Sequence, residues 1–200
     1  MPRSRYPSRA FAKQNLVVAI VPAGESWRRL YASVHPDPLG FEHFASRFSD
    51  PAGDAFGVVY LGSTVKVACV ETIIRDRGEG RIGQIPIPWA EFERYTCAEI
   101  EIVADLRLAD LCGDAGLKMG VPTDVARAKS QTLARRWSRA FHAHPANVDG
   151  IVYSSRLNEQ RNIALYDRAL AKVRVVAAPR LVELRDELAA LIDDFELAIV

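Results

Sequence analysis

The most chemically loaded feature of this 200-residue sequence is a glutamate set in an apolar stretch. Seven of the ten residues from Val65 to Ile74 are apolar (Val65, Val67, Ala68, Cys69, Val70, Ile73, Ile74), and as a helix they surround the whole circumference. A helix apolar on nearly all sides is buried. Glu71 shares a side with Val67 and Ile74, so its carboxylate leaves water at considerable cost. A lone desolvated carboxylate takes up a proton, and one that stays ionised needs a cation or several donors. Two candidate cations lie upstream: Arg47 in Ser46-Arg47-Phe48-Ser49-Asp50-Pro51, and Arg29 in Trp27-Arg28-Arg29-Leu30-Tyr31. Arginine presents a planar fork suited to phosphate or carboxylate oxygens. On these residues alone two readings stand. One is a buried Glu–Arg pair without catalytic meaning; the other is a carboxylate tuned for reaction.

The elements that must position these residues follow from the hydrophobic pattern. Leu16–Val21 and Gly57–Leu61 are short β-branched apolar runs that read as buried strands. The loop-rich stretch between them, His35 to Phe56, carries Pro36, Pro38, Gly40, Pro51 and Gly53. Ser63 is placed to cap a helix running to about Arg75. Glu99–Val103 and Leu106–Leu111 alternate as half-exposed strands do, and Gly150–Tyr153 and Val173–Ala177 are further strands. Thr123 is placed to cap a helix to about His142, with Leu133, Trp137 and Phe141 as its inward stripe. After Pro179, Leu181, Leu184, Leu188, Leu191 and Phe195 form a long amphipathic stripe that serves the core or a dimer seam. Strands and helices do not interleave in a βαβ rhythm. The expectation is a single α+β domain with a C-terminal amphipathic helix.

Composition narrows the function classes. There are 26 Lys+Arg against 25 Asp+Glu, a net charge of +1, with 49% hydrophobic residues, which excludes a disordered chain and a broadly basic nucleic-acid binder. Any grip on an anion must therefore come from locally concentrated charge. Cys69, Cys97 and Cys112 are odd in number and lack C-x-x-C spacing, which argues against a disulfide framework or zinc knuckle. No apolar run approaches the ~18–20 residues of a membrane helix. The first fourteen residues, basic through Arg3, Arg5, Arg9 and Lys13, read as a flexible tail, with an organellar transit peptide as the alternative. A soluble cytoplasmic protein is expected.

Several motifs do not carry chemistry. Gly78-Glu79-Gly80-Arg81-Ile82-Gly83 matches G-x-G-x-x-G, but a helix precedes it and Gln84-Ile85-Pro86-Ile87-Pro88 follows, where a dinucleotide fingerprint needs a strand before and a helix after. His142 and His144 sit two apart at a helix end with no third ligand, which is poor spacing for zinc. Arg127, Lys129, Arg135, Arg136 and Arg139 lie on the polar side of the 123–142 helix, as a solvated face or as a docking surface for nucleic acid or an acidic partner.

The run SRFSDPAGDAFGVVYLGSTVKVACVET resembles the central signature of RES-domain proteins, with Arg47, Tyr60 and Glu71 as its arginine, tyrosine and glutamate. The segment RRWSRAFHAHPANVDGIVYSSRLNEQRNIALYD resembles the second half, where Ser155 matches the serine that follows the strand, and Ser154 is the neighbouring alternative. Arg29 in RRLYAS matches the family's N-terminal arginine, with Arg28 one residue away as the alternative. The resemblance spans residues 27–167, within a domain taken as 15–200. It implies a fold similar to the ADP-ribosyltransferase and diphtheria-toxin catalytic domains. It also implies the toxin half of a bacterial toxin–antitoxin pair, neutralised by an Xre/DUF2384-type partner, with NAD+ as substrate rather than cofactor.

Family members pass ADP-ribose to inorganic phosphate, to water or to a protein. Loss of nicotinamide builds an oxocarbenium-like charge on the ribose, which a carboxylate stabilises more in the transition state than in the substrate. The resemblance thus implies that Glu71 faces the ribose, that Arg47 and Arg29 hold the diphosphate or an attacking phosphate, and that Tyr60 offers a ring to nicotinamide and a hydroxyl for positioning. Ser155 is expected to bond the ribose or the amide. Neither a metal nor a covalent nucleophile is called for. The expected activity is NAD+ phosphorolysis or hydrolysis. The alternatives are mono-ADP-ribosylation of a host protein, and a non-enzymatic module docking through the basic 123–142 helix.

Overall fold

The computed structural model describes residues 5–41, 45–74, 77, 82–155 and 160–200. Eight strands form one sheet in the order β1-β6-β7-β8-β3-β2-β5-β9. They are β1 (Val18–Val21), β2 (Ser26–Ala32), β3 (Val58–Gly62), β5 (Tyr95–Ile102), β6 (Leu106–Asp110), β7 (Gly150–Ser154), β8 (Arg161–Tyr166) and β9 (Val173–Ala177). All neighbours run antiparallel except β6 and β7, which are parallel. A separate parallel pair joins β4 (Ile85–Ile87) to β10 (Leu197–Ile199). The α+β class expected from the sequence holds.

The sheet cannot be flat. Only Val103, Ala104 and Asp105 join β5 to β6, although β7, β8, β3 and β2 lie between them in the sheet. In a flat sheet with strands ~4.8 Å apart the two would stand ~24 Å from each other, and three linking residues reach at most ~14 Å. The sheet therefore curls, and its inward face encloses a core to which all eight strands contribute, with Trp27, Leu61, Ile100, Leu108, Val152 and Ile163 among its members.

The outward face is covered by two separate layers. Helix α1 (Val65–Cys69) continues into a π-helical turn, Val70–Ile74, and packs with helix α2 (Trp89–Glu93) and the C-terminal segment over one end of the sheet. Short helices α3 (Ala115–Lys118) and α4 (Asp124–Arg127) precede α5 (Thr132–His142), which covers the other end through Ala134, Trp137, Ser138 and Phe141. The C-terminal stripe packs on the first of these layers: Leu181 lies in a 3-10 turn, and Leu188 and Leu191 in α6 (Arg185–Asp194), all buried.

Several expectations shift. The cap of α1 is Thr64, not Ser63: its hydroxyl accepts from the Val67 N–H at 3.2 Å. The helix end expected near Arg75 lies outside the described residues, as do residues 78–81 of the glycine run. A strand, β4, follows that run, so no helix opens after it. The single helix expected from Thr123 is two, because Ala128 adopts extended backbone (φ −68°, ψ 150°), and Thr123 makes no side-chain cap. Residues from Arg5 onward, read as tail, pack on α5: Phe11 is buried edge-on to Trp137 and Phe141, and the Trp137 indole N–H donates to the Arg5 carbonyl.

Candidate active site

Between the two outer layers the floor of the sheet stays open as a cavity of about 400 Å³, a size usual for small-molecule sites. Strand register sets its floor. Arg28 of β2 lies opposite Gly62 of β3, Gly62 opposite Asn162 of β8, and Asn162 opposite Tyr153 of β7, so all four point to one side, with Tyr60 two residues from Gly62. Glu71 and Thr72 form one wall, and Ser46, Arg47 and Gln131 close the other.

Glu71 comes from the π-helical turn. Such turns insert an extra residue into a helix and re-aim the side chains around it. Here Glu71 is half-buried at the cavity while Val70, Ile73 and Ile74 stay in the core. Its Oε1 accepts a 2.7 Å hydrogen bond from the Ser155 hydroxyl. Ser155 is 3% exposed and follows β7 directly; its backbone N–H donates to the Gln160 carbonyl at 2.7 Å. Ser154, the alternative, lines a separate crevice beside Leu111 and Thr123. The structure thus brings Ser155, 84 residues distant in sequence, to the carboxylate.

Arg47 is buried, and its Nη1 donates to the Ala128 carbonyl at 2.7 Å. That carbonyl is available because the chain turns extended there, ending α4. The strap carrying Arg47 is pinned on both sides. The Phe48 N–H donates to the Tyr60 hydroxyl at 2.8 Å, which also bonds the Ser46 hydroxyl at 2.9 Å. From α5, the Ser138 hydroxyl donates to the Phe48 carbonyl at 2.6 Å, and Arg135 donates to the carbonyls of Asp50 (2.7 Å) and Pro51 (3.0 Å). Burial pushes the Tyr60 phenol above its ordinary value, against the opposing pull of Ser46, the Phe48 amide and nearby arginines. Tyr60 is thus a neutral clamp on the strap. Its hydroxyl, expected to position substrate, is committed to protein partners.

Alternation along β2 separates the two candidate arginines. Arg28 faces the cavity floor with Tyr60 and pairs with Glu99 at 3.2 Å. Arg29 borders the cavity, but it lies on the other face with Trp27 and Leu61, and its Nη2 donates to the Gly40 carbonyl. Burial lowers its pKa to about 10, with Asp37 and Tyr31 acting in the opposite direction. The arginine beside Tyr60 is therefore Arg28, because the pleat sends adjacent side chains to opposite faces.

The sequence reading missed Thr72, Gln131, Tyr153 and Asn162. Tyr153 and Asn162 are separated by eight residues in sequence and meet only through β7–β8 pairing. Among the described residues no cluster of His, Cys, Asp and Glu suits a metal. His144 is buried, its Nδ1 accepting from the Ala146 N–H at 3.0 Å, and His142 stacks on Phe56. No described helix is long and apolar enough to cross a membrane.

The RES domain model matches residues 23–186. A probable toxin of Sinorhizobium fredii, y4kH, is 48% identical over 127 residues, which are 64% of this chain and the whole of that protein. A highly reducing polyketide synthase of Aspergillus fumigatus, sphB, is 27% identical over 135 residues, 64% of this chain but 5% of that protein. Among solved structures, a chain of the M. tuberculosis MbcT–MbcA toxin–antitoxin complex shares the fold, with a TM-score of 0.62, covering 86% of this chain and 92% of that chain at 17% identity. With the family model matching across the sheet, the cavity and the helices that bound it, the chain belongs to the RES domain family.

Proposed function

We propose that this protein is the toxin of a toxin–antitoxin pair, that its cavity binds NAD+, and that it breaks the nicotinamide–ribose bond and passes ADP-ribose to phosphate or water. One observation carries the reading: a carboxylate on a π-helical turn, Glu71, is oriented by Ser155 at 2.7 Å at the wall of a cavity bordered by three arginines, Arg28, Arg29 and Arg47. The name of the Sinorhizobium relative, a probable toxin, and the toxin–antitoxin complex of the structural neighbour support the biological role. The cognate partner is read as an Xre/DUF2384-type antitoxin.

In the proposed step the bond between ribose C1′ and the pyridinium nitrogen breaks, and its electron pair leaves with nicotinamide, which becomes neutral. Positive charge moves to the ribose ring. Glu71 lowers the energy of that charge, more so in a cavity poor in water. The acceptor oxygen then bonds C1′; a water acceptor gives up a proton to solvent, whereas a phosphate oxygen arrives already deprotonated. Arg28 and Arg47 supply cationic forks for the diphosphate or an incoming phosphate.

The test is purified protein with labelled NAD+, with and without phosphate. Nicotinamide should be released, with label in ADP-ribose or its phosphorylated form, whereas label retained on a protein would mark mono-ADP-ribosyl transfer. Glu71→Gln should fold normally and lose about 100-fold or more of turnover, the scale of one electrostatic group in a transition state. Wild-type rates from the folded variant would refute the mechanism.

A further inference from the structure

One buried amide on the cavity floor lies outside the chemistry assigned to Glu71, Ser155 and Arg47. Asn162 is 4% exposed, lines the cavity, and stands between Gly62 of β3 and Tyr153 of β7. Its Nδ2 is shut off from solvent and has no hydrogen-bond partner among the described residues. Such orphaned amides are rare in folded proteins, because each forfeits its bonds to water and gains none in return. The next four residues of β8 are Ile163, Ala164, Leu165 and Tyr166, so an apolar side chain at 162 would suit the strand at least as well. Rotation about the broad χ2 torsion would bring the buried Nδ2 to the cavity surface beside Oδ1 when a ligand enters.

Location narrows the ligand group. Tyr153, the register partner of Asn162, is two residues before Ser155, which holds Glu71. Asn162 and Glu71 therefore line the same cavity, joined through Tyr153 and Ser155 of one strand end. A side-chain amide offers a donor and an acceptor together, and the matching group is another primary carboxamide. Resting on the reading that the cavity takes NAD+, we infer that Asn162 binds the carboxamide of the nicotinamide ring and selects it over a carboxylate at the same ring position. A carboxylate can use the Nδ2 donor but opposes Oδ1, losing half of the pair.

The experiment uses the full chain, wild type and Asn162→Ala, with millimolar nicotinamide and nicotinic acid as probes in thermal melts, and NAD+ turnover in parallel. Nicotinamide should raise the wild-type Tm more than nicotinic acid does. Asn162→Ala should keep or raise the unliganded Tm, lose the nicotinamide response, and show a KM for NAD+ about tenfold higher with a smaller change in kcat. Should Asn162→Ala fail to fold, Asn162→Leu, which keeps the branched four-atom shape, is read the same way. An equal nicotinamide response in both proteins, no response in the wild type, or a lower Tm with unchanged KM would overturn the inference. A wild type that binds nicotinamide through Asn162 yet leaves NAD+ intact would refute the cleavage reading alone.

Discussion

Glu71 and Ser155 meet at 2.7 Å at the wall of the cavity, and the consequence is directional. The serine hydroxyl donates and the carboxylate accepts, so Ser155 fixes which way the charge faces. A hydrogen bond to a charged group is worth about 1.5–3 kcal/mol. Ser155→Ala should therefore lower kcat about 10- to 100-fold with little change in KM, measured as nicotinamide release. A large rise in KM at constant kcat would instead make Ser155 a binding group. Arg47, Tyr60 and Glu71 were legible as residues, since they fall within one run of 25 positions. The work of the Tyr60 hydroxyl was not legible, because its partners Ser46 and Phe48 reach it only when the strap folds back over β3.

At the level of elements, the position of Glu71 depends on how closely α1 lies against β3. Gly62 permits that approach: a Cβ there would stand 2.8 Å from the Ala68 backbone nitrogen and 3.1 Å from Val67 Cγ1. Gly62→Ala must push α1 outward and carry the π-helical turn with it. Overpacking of this kind costs about 1–3 kcal/mol, or ~2–12 °C in Tm for a chain of this size, and turnover should fall in parallel. Gly116→Ala is the control, since its Cβ would meet Leu111 Cδ2 at an ordinary 3.6 Å, and its Tm should be unchanged or slightly higher. Two strands of the main sheet escaped the sequence reading for identifiable reasons. Arg28 and Arg29 put charge on both faces of β2 and hide its alternation, and β8 is apolar on both faces from Ile163 to Tyr166 because both are covered. The break between α4 and α5 was hidden by helix-compatible composition from Thr123 to His142.

For the molecule as a whole, curling of the sheet and the gap between its two outer layers create the cavity, and the basic face of α5 is spent on holding that arrangement. Arg135 bonds the strap, Arg139 approaches the buried Asp50 carboxylate at 3.7 Å, and Arg136 lies over the Tyr6 ring. Acid should loosen this assembly in two stages. Burial, reinforced by Arg168, lowers the pKa of His142, so the unfolded chain takes up that proton first and stability falls as pH drops below ~6.5. Burial opposes ionisation of Asp50, but the amides of Asp54 and Ala55 and the Arg139 charge outweigh it and hold the carboxyl below its ordinary value. Stability from Asp50 is thus complete above the unfolded value of ~3.9 and lost as pH falls through the lower folded one. Melts between pH 7 and pH 3 should show both declines, with His142→Gln flattening the upper and Asp50→Asn the lower. A Tm independent of pH across this range would contradict both assignments.

By itself the sequence determined that the chain folds as α+β, that Glu71 would sit in an apolar setting needing donors or cations, and that charge balance confines any anion site to a few arginines. These are local properties: periodicity, composition and motif order are written along the chain. Tertiary structure alone decided that Arg28 rather than Arg29 stands beside Tyr60, and that Ser155 rather than Ser154 reaches Glu71. It also decided that the unpaired Asn162 amide lies on the same floor. Each of those outcomes turns on strand register, where a shift of one residue sends every side chain to the opposite face. Register is settled only when the curled sheet buries one face and leaves the gap over the other.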